Sequence, residues 1–95
     1  MEILHQHINS NGIFYIQKND RQLAELSYTL APDHSTMVIN HTEVTKELQG
    51  ERVGQHLVAK AVEYARLKNL KILPLCTFAA QVLKRHSAYH DVLID

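Results

Sequence analysis

Cysteine occurs once among the 95 residues. No internal disulfide can form, which suits a reducing, cytoplasmic compartment. No apolar run is long enough to cross a bilayer, and Met1-Glu2-Ile3-Leu4-His5 lacks the basic segment and apolar stretch of an export signal. Charge of one sign is missing too. Ten Lys and Arg balance ten Asp and Glu, so bulk charge favours neither nucleic acid nor a membrane surface as partner. There is no base-reading helix or aromatic nucleic-acid platform, and no Ser–His–Asp arrangement. Seven histidines are present, but neither His5 with His7 nor His86 with His90 is joined by cysteines or carboxylates at zinc spacing, so no metal is expected. Without repeats, linkers or low-complexity segments, the chain reads as one small domain, residues 1–95, with a single core.

Glycine is also scarce, with three in the chain, and two of them punctuate one stretch: Glu47-Leu48-Gln49-Gly50-Glu51-Arg52-Val53-Gly54-Gln55-His56-Leu57-Val58. The segment before it, Met37 to Val44, reads as a strand, and the segment after it as an amphipathic helix. A helix entered through such a turn leaves several backbone N–H groups unpaired and aimed at one point. Together with the helix dipole they make a receptor for phosphate or pyrophosphate. Turn geometry alone also places glycines at helix starts, so spacing by itself is a weak signal. The local charge agrees with an anionic ligand. Between Lys46 and Arg85 lie eight of the ten basic residues against three acids, Glu47, Glu51 and Glu63. Solvated helix faces would produce the same excess.

Along the chain, residues 2–9 alternate loosely as a strand, and Asn9-Ser10-Asn11-Gly12 supplies turn residues, including an Asn-Gly pair. Ile13 to Lys18 is aromatic and β-branched, a strand by propensity. Asn19-Asp20 is a tight turn, Arg21 to Leu30 the next strand, and Ala31-Pro32-Asp33-His34 a break. Short connections make the first four strands an antiparallel meander. The helix runs from about Val53 to Lys68, with Val53, Leu57, Val58, Ala61, Val62 and Ala65 on one face and Asn69 as a left-handed cap. Leu70-Lys71-Ile72-Leu73 is a fifth strand, ended by Pro74 and expected parallel to the fourth. A shorter helix starts near Cys76 or Thr77 and runs to about Lys84. The tail from Arg85 to Asp95 carries Tyr89, Val92, Leu93 and Ile94, enough apolar groups to dock.

These residues carry a resemblance. The meander, the Gln49-Gly50-Glu51-Arg52-Val53-Gly54 loop, the helix and the fifth strand resemble the GNAT (N-acetyltransferase) superfamily, whose loop has the pattern Gln/Arg-x-x-Gly-x-Gly/Ala. More narrowly, His41-Thr42-Glu43-Val44, Glu47-Leu48-Gln49-Gly50, Glu63-Tyr64-Ala65-Arg66, Lys71-Ile72-Leu73-Pro74-Leu75-Cys76, Phe78-Ala79, Arg85-His86, Tyr89 and Asp91-Val92-Leu93 look like a small single-domain GNAT-like family of about this length. The resemblance implies an α/β fold: a mixed, mostly antiparallel sheet of about five strands with two helices. It also implies acetyl-coenzyme A as co-substrate and an amine, small molecule or protein lysine, as acceptor. The departure is Arg52, where the pattern has glycine. A non-glycine residue fits there if its φ is negative. Its guanidinium would then either pair with a phosphate or block the amide's approach.

On this resemblance the amides of Gln49, Gly50, Glu51, Arg52, Val53 and Gly54 bind pyrophosphate. The strand at Glu43-Val44 offers its edge to the pantetheine arm. Lys84 and Arg85 reach the adenosine phosphates or simply solvate a helix end. Cys76, near a helix N-terminus that favours a thiolate, either accepts the acetyl group or packs as a small hydrophobe. His41 and Glu43, two apart on a strand, share a face, and one is a candidate general base. Tyr89 is a candidate proton donor to the leaving thiolate, or else packs the C-terminus down. Superfamily members carry N-terminal helices that form the acceptor side. This chain enters strands directly, so its acceptor site is expected to be shallow, completed by a second subunit, or missing. The last case corresponds to a non-catalytic coenzyme A-binding module. The chain is expected to be a monomer or a weak homodimer.

Overall fold

The computed structural model of the chain describes residues 1–94. Five strands form one sheet in sequence order: β1 (Leu4–Ile8), β2 (Asn11–Lys18), β3 (Arg21–Leu30), β4 (Thr36–Val44) and β5 (Lys71–Pro74). The first four are an antiparallel meander. The fifth is parallel to β4, because the chain crosses over through the helix α1 (Val53–Leu67) before returning. A second helix, α2 (Thr77–Arg85), follows β5.

Alternation puts Phe14 and Ile16 of β2, Leu26 and Tyr28 of β3, and Met37 and Ile39 of β4 on one face, all buried. The apolar stripe of α1, Leu57, Val58, Ala61, Val62 and Ala65, lies fully buried in the same core cluster. Each large side chain enclosed there contributes about 1.5–3 kcal/mol of transfer free energy. Asn69, at φ 58, ends α1 as expected, and the Leu70 amide closes onto the Ala65 carbonyl at 2.8 Å. The tail docks beside β5. Ile72 N–H donates to the Val92 carbonyl, the Ile94 N–H donates to the Ile72 carbonyl, and Arg66 grips both carboxylate oxygens of Asp91 at 2.9 Å. Asp95, the end of that tail, lies outside the described residues.

The strands depart from expectation in two places, and each departure decides which side chains meet. The first turn is Asn9-Ser10, with Asn9 at φ 55, and Ile8 pairs with Asn11. The Asn-Gly pair therefore belongs to β2, two residues ahead of the expected start at Ile13. Gly12 is there for space: a Cβ on it would lie 2.1 Å from Cζ of the buried Tyr28 ring. The second departure is a bulge in β4. Ser27 pairs with His41 and Tyr28 with Ile39, which leaves Asn40 as an extra residue. Before it, Met37 and Ile39 face the core; after it the alternation is reversed, with His41 and Glu43 exposed and Thr42 and Val44 half-buried.

Candidate functional site

The entry to α1 is rich in unpaired donors. A 3-10 turn (Lys46–Leu48) follows β4, and the chain then passes through Gly50 at φ 88 and Arg52 at φ 58. The first helical bond runs from the His56 amide to the Arg52 carbonyl at 3.1 Å. Among the described residues, the amides of Gly50, Arg52, Val53, Gly54 and Gln55 find no main-chain acceptor. Among the described residues no side chain caps this helix, and no acid stands in its first turn, so the positive end of the dipole is left open. The negative φ under which a non-glycine residue fits here is not found at Arg52. Its φ is positive, the region L-residues adopt only at a cost of about 1–2 kcal/mol. It stands where the loop pattern has glycine, in a conformation that favours glycine.

These amides border a cleft of about 370 Å³. One wall is the loop and first turn of α1, with Leu48, Gln49, Gly50, Arg52, Val53, Gly54 and Gln55; the other is Thr42 and Val44 of β4 with Phe78 of α2. The β4 wall has a main-chain edge that no strand covers. Pairing with β5 stops at Ile39 and Pro74, because Pro74 has no N–H to continue it and the amides of Leu75 and Cys76 both turn onto the Ile39 carbonyl at 3.0 and 3.2 Å. From His41 to Val44, β4 pairs with a strand on its β3 side alone. On the other side the Thr42 amide turns to the Cys76 sulfur and the Val44 carbonyl accepts from the Gln49 side-chain amide at 3.4 Å. Phe78 bridges the two helix starts: a Cβ on Gly54 would lie 2.7 Å from its Cζ, so Gly54 lets the ring lie against the first turn of α1.

Cys76 is the residue before α2, half-buried against the core, with its Sγ 3.4 Å from Thr42 Oγ1. Burial pushes its thiol up. Hydrogen bonding from the Thr42 hydroxyl and from the amides of Ala79, Phe78 and Thr42 outweighs that and holds it below the ordinary cysteine value. The α2 amides act without a full capping bond to the sulfur.

Of the residues expected at the site, Val44, Gln49, Gly50, Arg52, Val53 and Gly54 line the cleft together. Glu51 turns instead to hollows beside Met1 and Ile16. Cys76 reaches the cleft only through its contact with Thr42. His41 and Glu43 do share a face, but the bulge at Asn40 turns that face away from Thr42 and Val44. Tyr89 packs on the core next to Arg66 in the last turn of α1, roughly 20 Å along the helix from the cleft at 1.5 Å per residue. Lys84 and Arg85 lie in the last turn of α2, about 11 Å along that helix from its cleft end. Thr42, Leu48, Gln55 and Phe78 line the cleft without having been expected there. For Gln55 and Phe78 the signal was present, since both follow closely on a helix start.

A sequence model of GCN5-related N-acetyl-transferases matches residues 13–92 of the chain. The solution structure of a GCN5-like protein from Staphylococcus aureus is similar at 39% identity, over 98% of this chain and 87% of that one, with a TM-score of 0.76. Tetrahymena GCN5 is similar with a TM-score of 0.65 at 17% identity, over 82% of this chain and 51% of that one. Glucosamine-6-phosphate N-acetyltransferase from Arabidopsis thaliana gives 0.63 at 14% identity, over 81% and 58%. At those identities the likeness to the last two is one of fold, and the chain spans about half of their length. No curated protein matches the sequence.

Proposed function

Because the chain belongs to the GCN5-related N-acetyltransferase family, we propose that it binds acetyl-coenzyme A in the cleft between α1 and β4 and passes the acetyl group to an amine. The observation that carries this is the set of unpaired amides from Gly50 to Gln55 at the start of α1, facing a cleft whose opposite wall is the edge of β4 that no strand covers. The amides suit a pyrophosphate. The edge at Thr42 and Val44 suits an amide-bearing arm, which pairs with it as a strand would. Among the described residues, no carboxylate lines the cleft to repel an anion. Bound there, acetyl-coenzyme A supplies an acetyl group already activated as a thioester: the amine's C–N bond forms as the C–S bond breaks, and the amine's proton ends on the coenzyme sulfur. In a route through Cys76, the S–C bond to Cys76 would form as the coenzyme C–S bond breaks, with the Cys76 thiol proton passing to the coenzyme sulfur. The amine's C–N bond would then form as the Cys76 S–C bond breaks, and the amine's proton would restore the Cys76 thiol. The acceptor would be a small amine or a protein lysine, met in the cytoplasm by a monomer or weak homodimer.

A second reading, a module that holds coenzyme A without turning it over, is favoured by one observation. Among the described residues, the cleft lining contains no carboxylate or histidine to take a proton from an amine. Calorimetric titration with acetyl-coenzyme A, followed by intact mass, tests both. Absence of binding at millimolar ligand overturns both readings. Binding with a gain of one acetyl that is lost in Cys76→Ala supports the covalent route. Binding without mass gain leaves direct transfer and passive binding, which a panel of amines then separates by turnover.

A further inference from the structure

The sulfur of Cys76 stands one contact behind the cleft, and the residue between is Thr42. Thr42 lines the cleft, and its Oγ1 lies 3.4 Å from Sγ. It faces that way because the bulge at Asn40 moves the even-numbered residues of β4 inward. The backbone of Cys76 is fixed by its N–H donating to the Ile39 carbonyl of β4 at 3.2 Å and by the Ala80 amide closing on its carbonyl at 2.9 Å. Both partners of the contact are thus held by main-chain structure, one by β4 and one by the start of α2. The groups acting on the sulfur are all neutral: the Thr42 hydroxyl and the amides of Thr42, Phe78 and Ala79, with no charged side chain contributing. His41 and Glu43, the ionisable residues either side of Thr42, are on the opposite face of the strand.

We propose that Thr42 is a positioning residue for Cys76: its hydroxyl accepts from the thiol at rest and donates to the sulfur when the sulfur carries charge, holding it at the edge of the cleft. The purpose of this arrangement rests on the acetyl-coenzyme A reading above, but the contact can be tested without the coenzyme. A hydroxyl can do both because its oxygen accepts through lone pairs and donates through one rotatable O–H. Threonine's β-branched frame, which suits a strand, also limits the positions its oxygen can take.

The test is the pH profile of iodoacetamide alkylation on the whole chain. With a single cysteine in the sequence, every adduct reports on Cys76. Thr42→Val keeps the branched shape and removes the hydroxyl. It is expected to slow alkylation at pH 7 about three- to tenfold, the size of one ordinary hydrogen bond, and to move the profile's midpoint upward. Thr42→Ser should restore both, which a merely packing role for Thr42 would not produce. Thr42→Ala is the second hydroxyl-free variant and must move in the same direction as Thr42→Val. A Thr42→Val or Thr42→Ala profile superimposable on that of the unsubstituted protein overturns the assignment, as does failure of Thr42→Ser to restore it. Titration with coenzyme A keeps the two readings apart. A shifted profile in a protein that does not bind coenzyme A upholds Thr42 and sinks the coenzyme reading. An unshifted profile in one that does bind sinks Thr42 alone.

Discussion

Replacing Arg52 by glycine should make the protein more stable and its grip on a phosphate weaker. Arg52 sits at φ 58, ψ 28, directly before α1, with no side-chain cap bond. An L-residue in this region costs about 1–2 kcal/mol; glycine removes that and forfeits about 0.5–1 kcal/mol through its freer unfolded state. Taking a cation from the positive end of the helix adds about 0.3–1 kcal/mol. The net gain is about 1 kcal/mol, which in a domain of this size raises Tm by roughly 4–8 °C. Arg52→Ala is the comparison that isolates the backbone, because alanine loses the charge but keeps the left-handed conformation. It should gain only the dipole part, about 0.5 kcal/mol. Thermal denaturation of the three proteins in one buffer reads this directly, and Arg52→Gly melting no higher than Arg52→Ala would refute the claim of backbone strain. Calorimetric titration of the same proteins reads the other half. A guanidinium that pairs with the pyrophosphate should make both variants bind about tenfold more weakly, with less sensitivity to salt. Tighter binding by Arg52→Gly would show instead that the side chain obstructs the amides.

Gly12→Ala should destabilise by about 3 kcal/mol in chemical denaturation, because its Cβ would meet the enclosed Tyr28 ring at 2.1 Å and that ring has nowhere to go; a loss under about 1 kcal/mol would mean that the ring moves. Gly54→Ala meets Phe78 at 2.7 Å, but alanine also gains up to about 1 kcal/mol in helix preference. It should therefore destabilise the unsubstituted protein and stabilise Phe78→Ala, and equal effects in both backgrounds would remove Phe78 as the cause. His5 is held below its ordinary value of 6.5, first by burial and then by His7, with its Nε2 2.7 Å from the Tyr28 hydroxyl. The folded form then binds fewer protons than the unfolded one just below pH 6.5, so this contribution is whole above that value and is lost as pH falls through the lowered one. Urea midpoints from pH 7.5 to pH 5 should fall less in His5→Phe, and an unchanged slope would dismiss His5 as the source.

Much of the fold was legible because local signals agreed with one another. The spacing of Val53, Leu57, Val58, Ala61, Val62 and Ala65 allows one helix face, and all six are buried. Asn19 and Asp20, a pair that tolerates positive φ, take φ 53 and 62 in the turn between β2 and β3. A strand, a crossover helix and a strand too distant for a hairpin left little choice but a parallel β5. The Asn-Gly pair misled because its glycine answers to a partner sixteen residues away. Tyr28 needs the space, and no local rule contains Tyr28. Arg52 is the opposite case: its residue type favours negative φ, and the loop holds it at φ 58, where glycine is the favoured residue.

The candidate site was legible where it is made of backbone and obscure where it is made of side chains. Backbone amides belong to the chain whatever the residue, so a turn running into a helix pointed to Gln49, Gly50, Val53 and Gly54, which line the cleft together with Arg52. Which side chains of β4 face the cleft depends instead on parity, and parity depends on one unpaired residue. Counting back from Val44 without the bulge keeps Thr42 and Val44 on one face but cannot relate that face to Met37 and Ile39, which the core claims. Asn40 carries no mark of a bulge; it becomes the extra residue through its place opposite Ser27 and Tyr28. Its side chain then donates to Thr29 Oγ1 at 3.0 Å, and Thr29 in turn donates to Asn11 Oδ1 at 2.9 Å, so the irregularity is tied to β2 and β3 by a polar ladder on the open side of the sheet. That one insertion turns Thr42 toward Cys76 and His41 and Glu43 away. The ionisable pair that chemistry singles out is therefore not the pair that geometry brings to the cleft.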